Sequence, residues 1–275
     1  MKKKHLLFII ALPGLFLTIN GLSSCSVNKA KIDNSLKKYF DSANADGCFS
    51  LFNNATGAVT VYNMKLDTQR FLPASTFKIV NALIGIETGK IIDEKMIIPW
   101  DRVERWNKDW NQDLTMQQAF KFSAVPYFQE VARRIGKDTM QHWIDTLKYG
   151  NMNIAGPVDS FWLNNTLKIS PDEQLGLVKR LYFDQLPFQK RAQEVVRDLM
   201  LMENNTQYKF SYKTGTGYDE MQNLIGWLVG WIEENRHVYF FVTLIKSPDK
   251  NIDLNVSMNI TTGILRQLGF FKGEK

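Results

Sequence analysis

Apolar and polar positions change period twice along the chain. Residues 48–53 and 58–63 alternate or run apolar like strands, and Asn54-Ala55-Thr56-Gly57 between them is a hairpin signal. After Pro73 the period lengthens. Ser75 opens a helical pattern with Phe77, Val80, Leu83 and Ile84 on one side, closing near Gly89. The centre is helical over 116–122, over 127–135 up to Gly136, and over 139–147. Ser170-Pro171-Asp172-Glu173 is a capping box with proline at the first helical position, predicting a helix to about residue 182, and another spans 190–202. Strand patterns return at 209–213, 225–232 and 238–245, with Glu233-Glu234-Asn235-Arg236 as the last turn, before a closing helix over 257–268. Strands at both ends around a helical centre predict an α+β fold. Its antiparallel sheet is built from the N- and C-terminal segments, flanked by helices, beside a helical lobe. Residues 27–38 are polar and read as a short tether.

The first residues obey other rules. Lys2, Lys3 and Lys4 precede an apolar run over 6–17 that contains Pro13 and Gly14. A membrane span needs about 20 apolar residues, so this shorter run reads as a secretory signal peptide. Its end, Leu22-Ser23-Ser24-Cys25, resembles the bacterial lipobox, in which the cysteine becomes N-terminal and lipidated after cleavage. The expected organisation is a signal peptide over 1–24 and one domain over 25–275. That domain would be periplasmic and lipid-anchored, at the outer membrane in preference to the inner. Each buried lipid methylene contributes about 0.8 kcal/mol, so several chains hold such a protein on a bilayer.

Composition narrows the chemistry. With 44% hydrophobic and 23% charged residues in 275, disorder, collagen and coiled coil are excluded. The net charge of +6 falls to +3 over 25–275, with 31 basic and 28 acidic residues, which argues against a nucleic-acid partner. Two cysteines and three histidines exclude a disulfide scaffold and a Cys/His zinc cluster, so no metal is expected. Cys48 reads as a small buried hydrophobe. His142 and His237 lie off the apolar faces of their elements, leaving no histidine for a Ser-His-Asp triad. Phosphate-cradling glycine motifs and H-E-x-x-H are absent.

A serine with a lysine remains. S-x-x-K occurs four times, at Ser26/Lys29, Ser35/Lys38, Ser75/Lys78 and Ser247/Lys250. Only Ser75/Lys78 opens an apolar helix, where i,i+3 spacing puts both side chains on one face and the first amides point toward an anion. The bland alternative is a capping serine with a solvated lysine. Two further stretches bear on the choice: Lys213-Thr214-Gly215 on a predicted strand, and Ser123-Ala124-Val125 ending a predicted helix. The order S-x-x-K, second serine motif, K-T-G resembles that of penicillin-recognising serine enzymes. With Tyr149-Gly150-Asn151 and Phe161-Trp162-Leu163 added, the chain closely resembles the class D β-lactamases (oxacillinases). The resemblance runs from Gly47-Cys48-Phe49 to the last helix and includes Pro73-Ala74-Ser75-Thr76-Phe77-Lys78 and Trp227-Leu228-Val229-Gly230-Trp231.

The resemblance implies a β-lactamase/transpeptidase-like fold and a set of roles toward β-lactam antibiotics. Ser75 is the nucleophile and Lys78 the base. An ordinary lysine, with a pKa near ~10.4, needs a burial shift of roughly 3–5 units to act so, and Phe77, Val125 and Trp162 supply apolar surroundings. The family implies carbamylation of Lys78 to N6-carboxylysine, with carbon dioxide or bicarbonate as the sole cofactor and the Trp162 indole as donor to it. Ser123 relays a proton to the lactam nitrogen, and Lys213 supplies positive potential. The amides of Ser75 and Thr216 form an oxyanion hole, Thr214 and Gly215 line the substrate, and Val125 borders the carbamate pocket. One departure stands out. Where the family carries a carboxylate-gripping arginine, this chain has Asp253-Leu254-Asn255-Val256. Thr214, Thr216 and Lys213, or Lys246 or Lys250, are left to hold the carboxylate. Trp106 and Trp110 read as core or as a cleft wall. A non-hydrolytic sensor, a penicillin-binding carboxypeptidase and a lipid-anchored binding protein are the competing readings. Whether two copies pair as a homodimer stays open.

Overall fold

The computed structural model describes residues 30–249 and 252–275. Among them the strands are β1 (Ala30–Ile32), β2 (Asp46–Asn53), β3 (Val59–Tyr62), β4 (Ile97–Ile98), β5 (Leu114–Thr115), β6 (Leu201–Asn204), β7 (Tyr208–Tyr218), β8 (Leu224–Glu234) and β9 (His237–Ser247). The helices are α1 (Lys37–Ser42), α2 (Met64–Asp67), α3 (Lys78–Glu87), α4 (Met116–Lys121), α5 (Val125–Ile135), α6 (Lys137–Leu147), α7 (Pro171–Tyr182), α8 (Lys190–Met200) and α9 (Val256–Gln267). Seven strands form one sheet in the order β1-β3-β2-β9-β8-β7-β6, so N- and C-terminal segments meet at the β2–β9 pair.

The α+β reading holds, with corrections at three places. The sheet is antiparallel except at its edge, where β1 runs parallel to β3. That strand lies in the stretch expected to be a tether, which instead folds from Ala30 onward. Leu36 and Phe40, four residues apart, are buried beneath α9, and Asp33 caps the short turn before α1. The helix expected over 190–202 ends at Met200, and β6 pairs with β7 instead. Leu201, Met202 and Glu203 all have good helix propensity, so pairing with β7 overrode local preference.

β8 is buried on both faces, which explains its nearly unbroken apolar run. Trp227, Val229 and Trp231 pack toward the helical lobe of α3, α5, α7 and α8, while Leu224, Leu228 and Ile232 pack against α9. At the lobe's centre α3 is buried from Lys78 to Ile86. Gly85 lets α5 approach it, since a Cβ there would stand 3.0 Å from Val131 Cγ1. A lysine therefore heads a helix buried along nearly its whole length. Among the described residues no helix is long and apolar enough to cross a membrane. The signal-peptide run and Cys25 lie outside them.

Candidate active site

Ala74–Phe77 forms a 3₁₀ turn that leads into α3. Ala74 has φ +47°, a left-handed conformation unusual for a residue with a Cβ, and strain of this kind persists only where neighbours over-determine it. The neighbours here are specific. Ala74 N donates to Trp162 O at 3.2 Å, Thr76 Oγ1 donates to Pro73 O at 2.7 Å, and Gln174 Nε2 donates to Thr76 Oγ1 at 2.6 Å. Trp227 Nε1 holds Leu72 O at 2.9 Å. Ser75 is half-buried at the crest of this turn, and its side chain caps neither the turn nor α3.

Lys78 follows one turn later, and its Nζ donates to Ser75 Oγ at 2.6 Å. The side chain is fully buried, with the Phe128 ring centroid 5.7 Å from the amine. Phe77, the residue before Lys78, is fully buried and stacks on Trp162 at 5.3 Å. Burial first, and then the Lys213 charge, push the amine well below the usual lysine range. That is the state a proton acceptor requires, and it excludes a solvated lysine. The indole Nε1 of Trp162 is buried and donates to no acceptor among the described residues. Buried donors are rarely left so.

A second serine–lysine pair faces the first. Ser123, in a left-handed conformation with φ +53°, sits in the bend between α4 and α5. Lys213 of β7 donates to Ser123 Oγ at 3.0 Å and to Thr214 O at 3.0 Å. β6 pairs with β7 only up to Ser211, which leaves the outer edge of 212–218 to face the Ser75 turn. Gly215 is there because a Cβ would lie 3.0 Å from Pro73 O and 3.1 Å from Thr76 N. Thr214 is half-buried and Thr216 exposed along this edge. Among the described residues no three His, Cys, Asp or Glu side chains are arranged to hold a metal ion.

The Lys213 amine is also buried, which lowers its pKa to about 7. In the unfolded chain it returns toward the ordinary value of 10.5. Between those values the unfolded state binds more protons, so stability rises with pH across that window, and the destabilising effect of burial is complete below it. Denaturant unfolding at intervals from about pH 7 to 10 should show a gain approaching 1 kcal/mol per pH unit from this group. Lys213→Met should give a shallower slope. Equal slopes would mean that Lys213 keeps its proton in the folded chain.

Comparison with known proteins agrees with this geometry. Residues 38–266 match the family described as penicillin binding protein transpeptidase domain. The probable β-lactamase YbxI of Bacillus subtilis is 38% identical over 89% of this chain and 86% of its own length. The chain belongs to the class D β-lactamase family. β-Lactamase OXA-48 of Klebsiella pneumoniae is 36% identical over 94% of this chain and 97% of its own. The crystal structure of the class D β-lactamase YbXI from Nostoc superposes with a TM-score of 0.81 at 36% identity, covering 85% of this chain and 98% of that one. The C-terminal domain of the Bacillus licheniformis BlaR penicillin receptor gives 0.83 at 31% identity, covering 88% and 97%.

In this class D chain the motif residues named from sequence converge on one cleft: Ser75 and Lys78 from the turn and α3, Ser123 before α5, and Lys213 to Thr216 from β7. Trp162 is buried against Phe77 and accepts from Ala74 N through its carbonyl, and half-buried Val125 opens α5 two residues after Ser123. His142 and His237 are exposed, and Cys48 is fully buried with its thiol pushed well above the usual range. Lys246 is already engaged with Asp219 at 3.1 Å, which argues against it as the carboxylate ligand, and Lys250 lies outside the described residues. Trp106 is 78% exposed, so it is not core, and its ring lies 5.5 Å from that of Trp110. Thr76 and Gln174, which brace the nucleophile turn, carried no signal beyond lying in an apolar face and a capped helix.

Proposed function

We propose that this protein hydrolyses the β-lactam ring of penicillin-type antibiotics through an acyl-enzyme on Ser75, and so confers resistance to them. The observation that carries this reading is the fully buried Lys78, whose amine sits 2.6 Å from Ser75 Oγ. A lactam is an amide, so opening it needs a nucleophile, a proton acceptor, a proton donor to the departing nitrogen and a home for the carbonyl oxygen's developing charge. Lys78 is placed to receive the proton as Ser75 Oγ attacks. Ser123 Oγ relays a proton to the ring nitrogen and takes its replacement from Lys213 Nζ, which donates to it at 3.0 Å. The Ser75 amide, in the first turn where no intrahelical acceptor exists, and the Thr216 amide on the β7 edge stabilise the oxyanion, each by about 2.7–4 kcal/mol.

Carbon dioxide fits the same site. A neutral buried amine can bind it, the Trp162 indole is a buried donor that lacks a described acceptor, and the modification would supply an anionic base. Lys78 and Trp162 are the residues that would hold it. With Cys25 lipidated, the enzyme would act from a periplasmic membrane surface, where the drug arrives.

The likeness to a BlaR penicillin-receptor domain keeps one second reading, a sensor that stays acylated. Mass spectrometry after a penicillin pulse separates the two. The expected result is an adduct on Ser75 that decays within seconds, together with nitrocefin hydrolysis that Ser75→Ala abolishes. An adduct that persists for hours makes the protein a sensor, and no adduct at all ends both readings.

A further inference from the structure

A penicillin carries a carboxylate on the carbon next to its lactam nitrogen. With Ser123 serving that nitrogen, the carboxylate lies beside Ser123, Lys213 and Thr214. A cavity of about 290 Å³ borders Lys213 and Thr214 and is lined also by Lys121, Tyr212, Leu254 and Asn255 among others. The stretch in which the family resemblance calls for an arginine therefore lines the same cavity as Thr214, but it brings Asn255. The Asn255 amide is neutral and already donates to Asp253 Oδ1 at 3.2 Å. Lys213 is spent on Ser123 and Thr214 O, and its burial leaves it only partly charged near neutrality. Lys246 is paired with Asp219.

Lys121 is different. It is the last residue of α4, two positions before Ser123, and its side chain reaches the cavity while staying exposed. It makes no hydrogen bond or ion pair with any described residue. An exposed ammonium at a cavity mouth can meet an anion at little desolvation cost.

We infer that Lys121 binds the ring carboxylate of the substrate, taking in this chain the ionic role that an arginine on the 253–256 stretch would have filled. The inference rests on the β-lactam reading. It makes Lys121 a specificity-determining residue and leaves the chemistry to Ser75 and Lys78. A point-like ammonium at the end of an exposed side chain is more yielding than a bidentate guanidinium, so recognition should be weaker and more sensitive to salt.

The test is the concentration dependence of acylation by a fluorescent penicillin in stopped flow, at low and high ionic strength. It compares the parent with Lys121→Gln and Lys121→Arg, both at an exposed helix end where the fold tolerates change. Lys121→Gln should raise the half-saturating concentration about tenfold, the weight of a charge-assisted contact, and lose most of the salt dependence. Lys121→Arg should restore both to within about twofold. A glutamine variant matching the parent, or an arginine variant as weak as the glutamine one, overturns the inference. A parent that takes up no penicillin overturns it together with the β-lactam reading.

Discussion

Replacing Lys78 by alanine is expected to cut β-lactam turnover by about 10²–10⁴-fold, the range that a positioned general base contributes. The fold should survive, because the removed group is a buried amine whose desolvation opposes folding. On the proposed mechanism the residue serves two steps, receiving a proton first from Ser75 and later from the hydrolytic water, so the loss should be uneven. Ser75 still lies in its turn, braced by Thr76 and Gln174, and should still be acylated slowly. Deacylation has no such fallback. The adduct should accumulate, and a penicillin pulse followed by mass spectrometry should find a long-lived covalent species where the parent shows a transient one. Lys78→Met, which fills the same space without an amine, should behave in the same way and separate lost basicity from lost packing. If either variant deacylates at the parent's rate, Lys78 is not the base.

The second large effect is acid inactivation that bicarbonate reverses. Burial favours the neutral Lys78 amine, so its folded pKa lies far below that of a free lysine. Carbon dioxide adds only to the neutral form. As pH falls through the folded pKa the amine takes a proton and loses the modification, so activity should fall by about tenfold per pH unit on the acid side. At fixed pH, added bicarbonate should restore it. Trp162→Phe removes the buried donor proposed to hold the carbamate, a charge-assisted hydrogen bond of about 1.5–3 kcal/mol. The variant should need roughly 10–100-fold more bicarbonate for half-maximal nitrocefin hydrolysis. An acid limb indifferent to bicarbonate in both proteins would rule out the carbamate and leave an unmodified amine as base.

Much of the molecule was legible locally. The period change after Pro73, the Ser170 capping box and the Asn54-Ala55-Thr56-Gly57 hairpin are short-range signals, and α3, α7 and the β2–β3 pair lie where they pointed. Edges were less legible. β1 and β6 are short, polar or helix-prone strands defined by a partner far away in sequence, and no local pattern announces such a partner. Lys121 was missed for a related reason. On its own it is one more exposed lysine after an apolar helix, and only the approach of the 253–256 stretch to Thr214 gives it a place at a cavity.

Ordered motifs along the chain determined the family and which residues to propose for the chemistry, because the proposed nucleophile, relay and strand lysine must each sit on a particular kind of element. Spacing could also place Ser75 and Lys78 on one face, since a helical turn is a local object. Only the tertiary structure decided what Lys78 is chemically. Its basicity depends on burial, and that takes α3, Phe128 of α5 and the Trp162 ring stacked on Phe77, brought together from distant parts of the sequence.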